Sequence, residues 1–155
     1  MGQDDTKHNL LFISKYPEII HEFTDAMKDR DIEIETAING IEAAAKIKKK
    51  NYDIVITGLS LEGYNGEQII TYLNKTAPST VCIIYTTTIS SAQLHFFINE
   101  RNVFRVFLRP VDFRGAFWEA LEEAYEYHAV QVKNEEDTGA RRQEQEKQER
   151  EIEIM

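Results

Sequence analysis

One stretch restricts the fold of this chain more than any other: Tyr52 to Gly66, YDIVITGLSLEGYNG. Ile54-Val55-Ile56-Thr57 is short, rich in β-branched residues and uncharged behind the leading Asp53. A strand wetted on one face alternates polar and apolar residues, whereas one covered on both faces reads as a continuous apolar run, as this one does. The second half carries glycines and Asn65, and Gly66-Glu67-Gln68-Ile69-Ile70 opens a helix. A buried strand entering a glycine-punctuated loop and then a helix is the turn where open α/β sheets hold their chemistry. The residue at the mouth of this strand is Gly58, which has no side chain.

The rest of the chain repeats the theme. Asn9-Leu10-Leu11-Phe12-Ile13 reads as a first strand. Pro17 suits the first turn of a helix whose Ile19, Ile20, Phe23 and Met27 share one face. Ile32 to Ala37 alternates like a half-buried edge strand. Asn39-Gly40 makes a turn, and Ile41 to Lys50 forms a helix with a lysine-rich end that complements its dipole. The helix from Gly66 is expected to reach about Lys75. Val81 to Tyr85 is another apolar strand, Ser90 or Ser91 caps a helix through Arg101, and Val103 to Leu108 is the last strand. Asp112 is expected to cap a long final helix.

Five strands alternating with five helices predict a doubly wound α/β domain with a parallel sheet between two helical layers. The expected divisions are an N-terminal tail at residues 1–8, the domain at 9–128 and a charged helical extension or linker at 129–155. Residues 131–155 contain no aromatic, and Thr138-Gly139 is expected to interrupt the extension. Sustained heptads are absent, which argues against a zipper.

Of 155 residues 42% are hydrophobic, enough for a core, while a net charge of −9 argues against nucleic-acid binding. Cys82 is the single cysteine, which rules out a disulfide framework within the chain, and in its apolar run it reads as a small buried hydrophobe. No apolar run has membrane-spanning length and no signal-peptide layout opens the chain, so a cytoplasmic location is expected. His8, His21, His95 and His128 lack ligand spacing, and neither a metal nor a cofactor is expected.

Four segments carry a resemblance to a known family. Leu10-Leu11-Phe12-Ile13 with Pro17-Glu18-Ile19, Asn39-Gly40-Ile41-Glu42-Ala43, Tyr52 to Gly66, and Val103 to Asp112 occur in the order and spacing of the receiver domain of two-component response regulators. The resemblance covers roughly residues 8–128. It implies a flavodoxin-like (βα)5 sheet with strand order 2-1-3-4-5. In that family an Asp nucleophile, an acidic pair holding Mg²⁺, a Lys and a Ser/Thr handle a phosphoryl group. Here the nucleophile position matches Gly58, the acidic pair Ser14-Lys15, the Lys Arg109 and the Ser/Thr Thr86. The aromatic three positions before the Lys matches Val106. Placing Lys15 beside a metal adds a repulsion of about 4 kcal/mol per unit charge at 4 Å in an effective dielectric near 20. The resemblance therefore implies a degenerate receiver, a pseudo-receiver that takes no phosphoryl group.

Three further readings follow. Lys15 and Arg109 could face each other as an anion pocket; the plainer alternative leaves Lys15 in solvent and Arg109 on backbone carbonyls or Glu62. Thr86-Thr87-Thr88 and Ser60 read as caps and turns rather than phosphoacceptors, and Tyr64 and Tyr85 as ordinary partly buried aromatics. On the helix before the last strand Leu94, Phe97 and Ile98 are expected inward, turning Phe96 outward. With Arg105, Arg114, Trp118 and Tyr125 it would form an interaction face. In receivers the face made by the fourth helix, last strand and fifth helix commonly mediates dimerisation.

The expected function is non-enzymatic signal transduction. The domain would bind a protein partner or a second copy, without phosphorylation, and relay to an output domain through its C-terminal helix. The alternative is a sensor of small anionic ligands in the vacated pocket. Two others are weighed: a regulator phosphorylated on an unorthodox residue, and a flavodoxin-type electron carrier. The second is disfavoured because Ser14-Lys15-Tyr16-Pro17 lacks a hydroxyl- and glycine-rich phosphate loop. No membrane or nucleic-acid partner is expected.

Overall fold

The computed structural model describes residues 8–100 and 102–154, with side chains described through residue 136. Five strands, β1 (His8–Ile13), β2 (Ile32–Ala37), β3 (Ile54–Thr57), β4 (Val81–Thr86) and β5 (Val103–Leu108), alternate with five helices. These are α1 (Pro17–Met27), α2 (Gly40–Lys49), α3 (Gly66–Thr76), α4 (Ser91–Ile98) and α5 (Ala116–Ile154). The sheet is parallel throughout with the order β2-β1-β3-β4-β5, the flavodoxin-like topology expected from the sequence.

Alternation along the strands divides the interior into two cores. Leu10, Phe12, Ile54, Ile56, Ile83 and Tyr85 meet α1, α5 and the turn before α5 on one side through Phe23, Met27, Phe113, Phe117 and Leu121. Leu11, Ile13, Val55, Cys82 and Ile84 meet α2, α3 and α4 on the other through Ala43, Ile47, Ile70, Leu73 and Phe97. All four residues of β3 are buried, which explains their uninterrupted apolar character.

Local chemistry sets the helix starts. Pro17 stands in the first turn of α1, and Asn39 Oδ1 accepts from Glu42 N at 2.8 Å before α2. Asn65 with Gln68, and Ser90 with Gln93, form reciprocal capping boxes on α3 and α4. Gly66 is required by packing: a Cβ there would run into the Gly58 and Leu59 backbone.

Four expectations need correction. α4 ends at Ile98 instead of Arg101, and of its apolar residues Phe97 is buried while Leu94 and Ile98 are 40% and 71% exposed. Asp112 Oδ1 accepts from Arg114 N at 2.9 Å and so closes a turn, with α5 beginning only at Ala116. Thr138-Gly139 does not interrupt that helix, which runs 39 residues to Ile154; a mid-helix glycine costs only about 1 kcal/mol. The expected N-terminal tail lies outside the described residues apart from His8, which opens β1.

β5 carries the one irregularity of the sheet. Its register with β4 slips between Cys82↔Val103 and Ile83↔Arg105, leaving Phe104 as the extra residue of a bulge. Phe104 and Phe107 can then both reach the α1/α5 core, while Val103 and Val106 pack on the other.

Candidate functional site at the carboxyl ends of the strands

The loops leaving β1, β3, β4 and β5 converge on a small cavity of about 40 Å³ lined by Ser14, Lys15, Tyr16, Gly58, Ser60, Tyr85, Thr86 and Arg109, among others. The sequence-predicted residues Ser14, Lys15, Gly58, Thr86 and Arg109 are thus brought together. Val106 is not among them, because its side chain packs into the α2/α3/α4 core.

Backbone bonds tie the mouth of the sheet. Gly58 N donates to Ile13 O at 3.1 Å, Ser14 N to Ala37 O at 3.1 Å, and Arg109 N to Thr86 O at 2.8 Å. The peptide Arg109-Pro110 is cis. Ser14 is buried, and its hydroxyl accepts from Tyr16 N at 3.2 Å. Thr86 Oγ1 turns to the Thr88 carbonyl at 3.1 Å, the turn-making role expected of the threonine run.

Both cations are engaged locally. Lys15 Nζ donates to Ser60 Oγ at 3.2 Å and lies 5.3 Å from the Tyr16 ring centre. The Arg109 guanidinium rests on the same ring at 4.8 Å and lies 5.9 Å from Tyr85, within cation–π range of each. Glu62, the partner weighed for Arg109, instead contributes its backbone carbonyl to Gly40 N at 2.8 Å. Burial pushes the Tyr85 hydroxyl pKa up, with Arg109 partly opposing it. Among the described residues no carboxylate lines this cavity. A Cβ on Gly58 would meet only Tyr85 O at 3.7 Å and Ile13 O at 3.9 Å, ordinary contacts, so space does not dictate the missing side chain.

The expected interaction residues do not gather on one surface. Tyr125 is a correction: it is buried, its hydroxyl donating to Asn9 O at 2.9 Å and its ring stacking on His8 at 4.2 Å. Trp118 is half-buried on the α1/α5 core with Arg30 4.2 Å over its ring. Arg114 reaches Asp25 of α1 at 3.4 Å, and Arg105 pairs with Glu123 at 2.7 Å. Phe96 is exposed as expected, but it lines a groove with α2 and α3. Besides Phe96, α4 and β5 expose the apolar side chains of Leu94, Ile98 and Leu108.

A cluster that sequence reading missed lies at the opposite end of the sheet. His128 Nε2 pairs with Asp53 Oδ1 at 3.1 Å while Nδ1 lies 2.8 Å from the Ser79 carbonyl. Asp53 Oδ2 accepts from Asn9 N at 3.2 Å, and Asn9 Oδ1 accepts from Asp53 N at 2.6 Å. The Asp53 bond raises the His128 pKa against the opposing effect of burial. Burial works to raise the Asp53 carboxyl, but His128 and the Asn9 N–H outweigh it and hold that group below its ordinary value. Metal-ligand spacing carries no trace of this cluster; an Asp just ahead of a buried strand and a His in the first third of the last helix meet only through the topology.

The parallel 2-1-3-4-5 sheet and the loop cluster at its carboxyl edge define the receiver class of fold. The response regulator receiver domain family matches residues 11–115, and the chain belongs to that family. The signal receiver domain of an HD domain-containing protein from Pseudomonas fluorescens Pf-5 is similar in fold, at TM-score 0.75 and 19% identity over 80% of this chain and 98% of that one. A CheY-like receiver domain protein from Methanospirillum hungatei JF-1 aligns at TM-score 0.73 and 18% identity, covering 81% and 99%. An adenylate cyclase structure from Rhodopirellula baltica aligns at TM-score 0.77 and 19% identity, covering 86% and 98%. No curated protein sequence matches this chain. Among the described residues no helix is long and apolar enough to cross a membrane.

Proposed function

We propose that this chain is a pseudo-receiver, a non-enzymatic signalling module that acts by binding protein rather than by accepting phosphate. The observation that carries this reading is the lining of the strand-end cavity: hydroxyls, aromatic rings, Lys15 and Arg109, with Gly58 where the family's nucleophile belongs. Mg²⁺ takes a shell of oxygens in which carboxylates supply the charge. Two cations and a ring of hydroxyls with no carboxylate among them do not fit it, so the cavity would hold neither the metal nor a phosphoryl group. The module would be cytoplasmic and would work through a partner or a second copy. Its surface for this is the face of α4 and β5 that exposes Leu94, Ile98 and Leu108. The continuous helix α5 supports relay to an output domain, since it packs in the core at Phe117 and Leu121 and runs on to Ile154.

The anionic-ligand reading draws less support. A cavity of about 40 Å³ holds on the order of one or a few waters, and its two cations already rest on Ser60 and Tyr16. Incubation with acetyl phosphate and Mg²⁺ followed by intact mass measurement tests the proposal. The mass is expected to stay unchanged, and a gain of one phosphoryl group overturns it.

A further inference from the structure

A second surface, remote from the strand-end cavity, has the features of a docking groove. α2, α3 and the end of α4 enclose an open groove of about 550 Å³ lined by Ala44 and Lys48 of α2, Tyr64 before α3, Tyr72 and Lys75 of α3, and Phe96 of α4, among others. Tyr64, Tyr72 and Phe96 are 44%, 38% and 37% exposed. Among the described residues only one other large aromatic, Tyr16, is as exposed, and its ring is covered by Lys15 and Arg109. Exposed aromatics converging from three elements on one concavity mark a binding surface rather than scattered apolar area.

The charges along the rim identify the occupant. Lys46 pairs with Glu42, and Lys50 pairs with Glu33 and Glu35. Lys48, Lys49 and Lys75 have no ion-pair partner among the described residues, although acidic side chains outnumber basic ones 27 to 18. Helix dipoles account for lysines in the last turns of α2 and α3, but not for the aromatics set between them. Glu67, the one carboxylate lining the groove among the described residues, already accepts from Gln93 Nε2 at 3.2 Å. α3 has 11 residues, roughly 16 Å or three turns, the scale on which an amphipathic helix presents anchors at i, i+4 and i+7.

We propose that the α2/α3/α4 groove docks an acidic, amphipathic α-helix of a partner protein, its apolar stripe on Tyr64, Tyr72 and Phe96 and its carboxylates on Lys48 and Lys75. The groove takes Phe96 from α4 but none of Leu94, Ile98 and Leu108, and its occupancy does not depend on whether the chain accepts phosphate.

The test uses the full chain, isotopically labelled for amide NMR. It is titrated with two synthetic 14-residue helical peptides that share leucines at i, i+4, i+7 and i+11. One carries Glu on its polar face and the other Lys. The Glu peptide is expected to move the amide signals of Ala44, Lys48, Tyr72, Lys75 and Phe96, and to bind at least about tenfold more weakly at high salt or to the variant K48E/K75E. The Lys peptide should bind that variant in preference to the unmodified chain. Tyr72→Ala, at an exposed position, should weaken the Glu peptide while leaving the circular dichroism spectrum unchanged. Equal binding of both peptides, shifts confined to Leu94, Ile98 and Leu108, or no shift at all would overturn the proposal. So would a single-stranded oligonucleotide that moves the same signals.

Discussion

Two glycines a few residues apart do opposite things. Gly58 has room for a Cβ and does not have a positive φ, whereas a Cβ on Gly66 would collide with the Gly58 and Leu59 backbone. Gly58→Ala is therefore expected to leave the fold intact and raise stability by about 0.4–1 kcal/mol, by narrowing the unfolded ensemble. Gly66→Ala should lower stability by about 1–3 kcal/mol through overpacking. Urea denaturation of the two variants checks both, and a destabilised Gly58→Ala would show that the mouth of the strand tolerates no side chain. The absence at Gly58 was readable from the sequence because spacing alone locates the end of a buried strand. The engagement of Arg109 with Tyr16 was not, since stacking depends on loop paths that a linear pattern does not encode.

At the scale of elements, α5 is fastened to the sheet by the His128–Asp53 pair. The groups facing it are Asp53 from the start of β3, His8 from β1, and Tyr125 and Glu135 from α5 itself. His128 has its pKa raised on folding, so its contribution is fully present below the ordinary value of 6.5 and declines as pH rises through the folded value. Asp53 has its pKa lowered, so its share is present above 3.8 and lost as pH falls through its folded value. The pair should therefore stabilise most between these limits. His128→Gln is expected to cost about 2 kcal/mol near pH 5.5 and less at pH 8. Thermal melts of both proteins across that range decide the matter; a pH-independent difference would mean the ring acts by packing alone. The sequence disclosed the helix but not its fastening, because Asp53 and His128 lie 75 positions apart. The periodicity of α4 misled for a related reason. Leu94 and Ile98 share a stripe with Phe97, yet α4 spans only Ser91–Ile98 and buries Phe97 alone among its residues.

For the whole molecule, the alternation of buried strands and amphipathic helices was enough to specify a parallel sheet between two helical layers, since apolar runs such as Ile54–Thr57 leave no alternative to a layer on each face; the strand order came only with the resemblance to receivers. Contact surfaces were far less legible. Arg105, Arg114, Trp118 and Tyr125 were expected on an interaction face, and each found an intramolecular partner in three dimensions. The apolar residues left uncovered on α4 and β5 lead to a further prediction. Light scattering of the full chain should give a mass approaching twice 18.0 kDa at high concentration, and I98E/L108E should return it to the monomer. A monomeric unmodified chain at all concentrations would remove self-association as the role of this face.

The 39-residue helix that completes the core is the same one that continues beyond it. Such a rod transmits angle as well as distance. One residue inserted after His128 would turn all later positions by about 100° and advance them by about 1.5 Å, whereas seven would bring the azimuth back to within roughly 20°. Under the proposed relay, a message carried along it would be written in rotational phase, with the Asp53 anchorage as its zero.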